Sequence, residues 1–148
     1  MEEFQDIYLE VTEDGYYDIV IENGDIKLDS SLDSTVITKI GTDSRVSEKI
    51  MSNPMSRGGW IGNLYFDNTN NEFTSQTWVA MLKRDVKSEL IKSVKNSLNS
   101  LTIDGSIKNV DINIINKGNG EYECYASYYI NNIPTNKSFI IWSETRWQ

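Results

Sequence analysis

A chain of 148 residues and 17.0 kDa, 39% hydrophobic and 24% charged, has room for one domain with a sizeable core and the composition of neither a disordered tail nor a membrane protein. A net charge of −8 and a pI of about 4.5 repel a phosphate backbone, which argues against direct nucleic-acid binding and leaves solubility, or docking on a basic partner, as what the acidity serves. The chain has no His, which removes the commonest general base, the commonest zinc ligand and every His-based triad, and its one Cys, Cys124, allows neither an intrachain disulfide nor a cysteine-rich metal site.

In chain order, the first thirty residues predict a three-stranded antiparallel meander. Ile7, Leu9 and Val11 alternate with Tyr8 and Glu10, and Asp14-Gly15 is a turn dipeptide. Tyr17, Ile19 and Ile21 then share one face. Asn23-Gly24 is a strong hairpin signal, since both central residues of a type I′ turn need positive φ, and it leads into a short strand over Asp25–Leu28. Ser30 and Ser31 are candidate N-caps for a helix carrying Leu32, Val36, Ile37 and Ile40 on one face, with Gly41 placed as its C′ residue. Thr42–Asn63 reads as loop, punctuated by Pro54, Gly58, Gly59 and Gly62, with Val46, Ile50 and Met51 in a further turn; Asp67–Asn71 is a polar turn.

Trp78, Leu82, Val86, Leu90, Val94 and Leu98 form a row at four-residue spacing, joined by Met81, Ile91 and Leu101. The row predicts an amphipathic helix with a break near Asp85, where the carboxylate caps a second segment, and Asp104-Gly105 ends it. Val110, Ile112 and Ile114 predict a strand up to Gly118-Asn119-Gly120, and Glu121–Ile130 the return strand, with Cys124 as a buried, inert thiol. Asn131-Asn132 and Pro134 interrupt before a last strand over Ser138–Trp142. The expected fold is a single α+β domain spanning 1–148, with antiparallel strands at both ends of the chain packed with two to three helices. Met1-Glu2-Glu3-Phe4 is no signal peptide, and no apolar run is long enough to cross a bilayer, so synthesis and folding in the cytoplasm are expected.

Few residues suggest chemistry. Asp25, Asp29 and Asp33 are read as favouring a helix N-terminus electrostatically, and Asp67-Asn68-Thr69-Asn70-Asn71 lacks the Gly and distal Glu of a calcium loop. No metal or cofactor is expected. Arg57-Gly58-Gly59-Trp60-Ile61-Gly62 lacks the Lys-Ser/Thr of a phosphate loop; either its glycines let Trp60 plug the core, or the loop presents Trp60 and Arg57 to a partner. The aromatic Phe139–Trp147 segment is either an internal strand or an unpaired edge open to strand addition.

One ordered set goes further. Gly24-Asp25-Ile26-x-Leu28, then Leu32-x3-Val36-Ile37-x2-Ile40, Thr42-Asp43-x-Arg45, Arg57-Gly58-Gly59-Trp60-Ile61-Gly62 and Ser75-Gln76-x-Trp78 precede a long helix closed by Asp104-Gly105 and a β run. This resembles the Mu-type phage baseplate protein family, relatives of the wedge proteins that initiate the tail sheath and unrelated to lysozyme, over roughly residues 23–115. In that family a second bulky aromatic usually stands where this chain has Ile61. The resemblance implies a non-enzymatic structural subunit of a contractile-tail baseplate, made in the bacterial cytoplasm and present in the virion in multiple copies. It would contact other wedge subunits, the tail sheath protein and the tail tube, without binding nucleic acid or inserting into a membrane. The partner-binding residues it implies are Asp43, Arg45, Arg57, Gly58, Gly59, Trp60 and Trp78; the strand reading adds Phe139, Ile141 and Trp142. The alternative is a small acidic phage adaptor or inhibitor binding a host or virion protein, separable by pull-down of a one-to-one complex. A carboxylate-based hydrolase is a third reading, but no matched acid and nucleophile stand out.

Overall fold

The structure, a computed structural model, describes residues 5–13, 17–42, 49, 52–53 and 76–142. Each of the three strands expected at the N-terminal end splits at a middle residue, and its halves pair with different neighbours. The six pieces are β1 (Asp6–Ile7), β2 (Leu9–Val11), β3 (Tyr17–Ile19), β4 (Ile21–Glu22), β5 (Asp25–Ile26) and β6 (Leu28–Asp29). β2 pairs with β3 and β4 with β5, as in a meander, but β6 returns to β1. The open meander expected is therefore corrected to a closed unit. Its middle residues bond one another: Tyr8 N–H donates to the Lys27 carbonyl and Lys27 N–H to the Val20 carbonyl, both at 2.9 Å. Two-stranded ribbons twist strongly, and two- or three-residue ladders leave each strand free to turn to a new partner. Asn23 (φ 54°) and Gly24 (φ 84°) make the expected type I′ turn.

Helix α1 (Asp33–Gly41) begins through a local carboxylate–hydroxyl relay. Asp29 accepts the Ser31 N–H at 3.0 Å and the Ser31 hydroxyl, whose oxygen accepts the Asp33 N–H at 3.2 Å. Ser31 thus supplies an acceptor as expected, although Leu32 occupies the N-cap position. Gly41 is not a left-handed C′ residue but the last helical one; Thr42 leaves in extended backbone (φ −93°, ψ 121°). The Tyr17 ring lies beside it at a distance, 3.8 Å from an added Cβ, that a side chain there would tolerate. Ser34 Oγ accepts the Leu9 N–H at 3.1 Å and Thr35 Oγ1 donates to Asp6 at 3.3 Å, fastening the N-terminal unit to α1.

The four-spaced row folds as α2 (Thr77–Ala80), α3 (Val86–Ser97) and α4 (Asn99–Ile103), making four helical segments among the described residues where two to three were expected. Asp85 accepts the Ser88 N–H at 3.2 Å, the cap the sequence predicts at the break. The break turns Leu82 outward to 64% exposure, so it leaves the apolar row in which its spacing placed it. Gly105 (φ 81°) ends α4, and the Ile107 N–H closes back on the Leu101 carbonyl at 3.0 Å. Lys39, buried on α1, donates to Ser100 Oγ at 2.9 Å and joins α1 to α4.

The C-terminal sheet has the order β7 (Lys108–Gly118), β8 (Glu121–Ile130), β9 (Ile133–Trp142), all antiparallel. β9 starts five residues before the expected Ser138, because Asn131 (φ 50°) and Asn132 (φ 63°) form a tight turn and do not merely interrupt. Alternation sends Ile112, Ile114, Cys124, Ala126, Tyr128, Phe139 and Ile141 to one face, where they meet Val36, Ile40, Leu90, Val94, Leu98, Leu101 and Ile107. Leu90, Val94, Leu98, Ile107, Ile114 and Cys124 have no exposure at all. Helices cover that face only among the described residues, so one α+β core is built between helices and a one-sided sheet.

Candidate interaction surfaces

Asp43, Arg45, Arg57, Gly58, Gly59 and Trp60, with the loops around them, lie outside the described residues. Trp78 sits in α2 and is half-buried. Phe139 and Ile141 are buried to 2% and 6% in the domain's own core, where the Phe139 ring lies 5.9 Å from that of Tyr17. Trp142 continues β9 and pairs with Tyr122. The structure brings these three together on one strand. What β9 can give a neighbour without opening the core is its backbone edge and its outer-face side chains.

β8 is the central strand, so β7 and β9 are both edges, and among the described residues no strand pairs with the outer side of either. Free edges invite unwanted pairing unless something blocks them. β7 is interrupted between Lys108 and Asp111, where Asn109 takes φ 53°, and again between Asn116 and Gly118. The first half of β9 carries Pro134, which has no N–H to donate. It also carries Lys137, on the same face as the buried Ala126 it opposes, with its ammonium 2.6 Å from Asp33. Such an inward-pointing charge discourages a second strand. The second half, Ser138–Trp142, carries no charge and no proline. Only the bulge near its end, opposite Tyr122 and Glu123, disturbs it.

Asp33 is a junction that spacing did not reveal. One oxygen accepts the Tyr128 hydroxyl at 3.1 Å and the other faces Lys137, so the start of α1 is tied to β8 and β9. Burial, with Asp33 beside it, pushes the Tyr128 hydroxyl's pKa far up and keeps it a donor. Asp25, expected to act on a helix N-terminus with Asp29 and Asp33, stands in β5 and accepts the N–H of its neighbour Ile26 at 2.8 Å. Burial pushes the Cys124 thiol up to about 12, as fits an inert core residue.

The closed N-terminal unit has a second regularity. Every ladder contains an apolar pair directly opposed across the strands: Ile7 with Leu28, Leu9 with Ile19, Ile21 with Ile26. Every ladder also opposes two acids: Asp6 with Asp29, Glu10 with Asp18, Glu22 with Asp25. One of these registers was readable, because a two-residue Asn23-Gly24 turn sets Glu22 against Asp25 and Ile21 against Ile26. The closing ladder had no local signal.

Among the described residues no group of three or more acids or Cys is placed to hold a metal ion, and no helix is long and apolar enough to cross a membrane. Comparison of the chain with protein-family models, with curated proteins and with solved structures finds no match.

Proposed function

We propose that this protein is a non-catalytic structural subunit of a contractile phage tail baseplate, and that it nucleates the sheath by pairing a sheath strand with the outer edge of β9. The observation that carries the mechanism is the edge itself. A strand of ten residues has its first half guarded by Pro134 and an inward-turned Lys137, and its second half, Ser138–Trp142, free of both. Main-chain hydrogen bonds along that half would supply affinity, while outer-face side chains such as Ile140 would supply specificity. The ordered motif set from Gly24 to Trp78 supports the tail context, and the absence of His fits a role without acid–base chemistry. Other wedge subunits and the tail tube are the remaining partners in this reading.

The test is reconstitution. Baseplates assembled without the chain are supplied with wild-type protein or with Ile140→Lys, which puts a charge on the half-exposed outer face beside the edge and leaves the core intact. The expected outcome is sheath polymerisation with wild type and at least about a tenfold slower nucleation with the variant, one desolvated charge being enough for that. Sheath that grows equally well without the chain would remove the initiator role. Sheath that grows equally well on Ile140→Lys would remove the β9 mechanism alone.

A further inference from the structure

We infer that Asn23 is a site of self-modification: it deamidates spontaneously, well ahead of Asn119, and the change unfastens the β4–β5 hairpin as the protein ages. Asn is followed by Gly twice in the sequence, at Asn23-Gly24 and at Asn119-Gly120. Gly has no side chain to hinder the approach of its nitrogen to the preceding amide carbon. Both pairs form two-residue turns at positive φ, 54° and 84° in the first and 51° and 72° in the second. They occupy the same place in their hairpins, between Glu22 and Asp25 and between Gly118 and Glu121. Local chemistry therefore does not separate the two; the structure around them does.

The reaction begins with attack of the Gly24 backbone nitrogen on Cγ of Asn23. A bond forms between that nitrogen and Cγ, and the bond from Cγ to Nδ2 breaks. Nδ2 leaves as ammonia, carrying the proton that the Gly24 nitrogen loses. One water then opens the five-membered imide at either carbonyl and leaves aspartate or isoaspartate at position 23; nothing is oxidised or reduced. Closing the ring needs torsions at Asn that the paired type I′ turn does not allow, so the rate follows how often the hairpin opens.

The hairpin around Asn23 opens easily. β4 and β5 share two registered pairs, Ile21 with Ile26 and Glu22 with Asp25. The isoleucines are already 63% and 43% exposed, so parting them uncovers little apolar surface, and the facing carboxylates repel. Against opening stand the exposed Lys27–Glu22 pair at 3.4 Å and the bond from Lys27 N–H to the Val20 carbonyl at 2.9 Å. The hairpin around Asn119 is built otherwise. β7 and β8 share eight registered pairs, among them the buried Ile112 with Ala126 and Ile114 with Cys124, and β8 is held on its other side by β9. The Asn116 side chain also fastens that turn, its Oδ1 accepting the Gly118 N–H at 2.8 Å and its Nδ2 donating to the Tyr122 hydroxyl at 3.2 Å. Among the described residues no side chain bonds the backbone of Glu22, Asn23 or Gly24 in that way.

Either product brings a further carboxylate to a turn whose flanking residues are both acidic. Isoaspartate also routes the backbone through one more carbon, and a two-residue loop then no longer sets Glu22 against Asp25. The two rungs and the Lys27–Val20 bond beyond them are lost together, and the loss is irreversible. None of this uses the β9 edge, so it stands or falls apart from the tail reading.

The experiment stores the full-length chain in mildly alkaline buffer and follows both sites by peptide mapping with an isoaspartate assay. In the folded chain Asn23 should convert at least about tenfold faster than Asn119, and in guanidinium chloride the two rates should come within about threefold of each other. Amide exchange over residues 21–27 should rise severalfold in the aged chain, while β7 and β8 keep their protection. Asn23→Gly keeps a Gly-Gly pair suited to the turn and has no amide to lose, so its exchange should not change with storage. Equal rates at the two sites in the folded chain, Asn119 converting first, or Asn23 intact when folded although it converts in denaturant would overturn the inference. So would exchange that is indifferent to the conversion, or that rises as much in stored Asn23→Gly.

Discussion

Asp33 ties three elements together, because its two oxygens reach a buried hydroxyl and an edge-strand ammonium at once. Asp33→Ala would leave the Tyr128 hydroxyl, 1% exposed, without its acceptor, and about 1–3 kcal/mol of stability should be lost in urea denaturation. Tyr128→Phe removes donor and demand together and should cost less. Asp29 titrates in a second relay. The Ser31 hydroxyl foremost, then backbone N–H groups of Ser31 and Ser30 and the Lys137 charge, hold its carboxyl below the ordinary value, against a smaller opposing effect of burial. A carboxyl depressed on folding stabilises the fold above its unfolded pKa, and that contribution is lost as pH falls through the folded value. Ser31→Ala should raise the Asp29 midpoint toward the ordinary carboxylate value in an NMR titration and blunt acid sensitivity below about pH 4. Cys124, buried and with its thiol pushed up to about 12, should be silent to a thiol reagent at neutral pH until the protein unfolds.

At the scale of elements, α3 against β7 is the centre of the core, and Leu90→Ala on α3 should cost about 2–5 kcal/mol by the cavity it leaves. The elements legible in the sequence are those whose signal is long and local. β8 keeps its expected bounds because ten alternating residues admit one register, and the break at Asp85 shows because a cap residue interrupts an apolar row. Short or context-bound elements were misread. Gly41 looks like a helix stop by type, yet it is the last residue of α1, and the chain leaves the helix at Thr42. Pro134 looks like a strand breaker, but an edge strand tolerates it. The closure of β6 on β1 depends on twist in three ribbons at once, and the Asp33–Lys137 pair spans 104 positions; neither leaves a periodic trace. As for the candidate site, the edge strand could be read as one of two alternatives, while of the acid-on-acid pairs only Asp6 with Asp29 needed the closing ladder.

Over the whole molecule, charge is distributed unevenly: residues 1–38 bear a net −10 and residues 39–148 a net +2. Like-charge pairs in exposed ladders are screened by salt. Raising sodium chloride from low to about 0.5 M should therefore slow amide hydrogen exchange in residues 6–29 severalfold, while α3 and β8 change little. Faster exchange instead would mean that attraction, chiefly Lys27 with Glu22, outweighs the carboxylate repulsion there. The two ends of the fold thus differ in kind, one made of three short acidic two-stranded ladders, the other of one long three-stranded sheet.

β9 is stitched to β8 through nine registered residue pairs from Ile133 to Trp142. Ladder bonds run across the strands, so a pull along β9 strains all of them together, whereas a pull at right angles opens them one after another. A neighbour that grips this strand lengthwise is anchored to the full set, and through Lys137 and Asp33 to the first turn of α1 as well. Tension delivered in that direction would reach the helices before the sheet gave way.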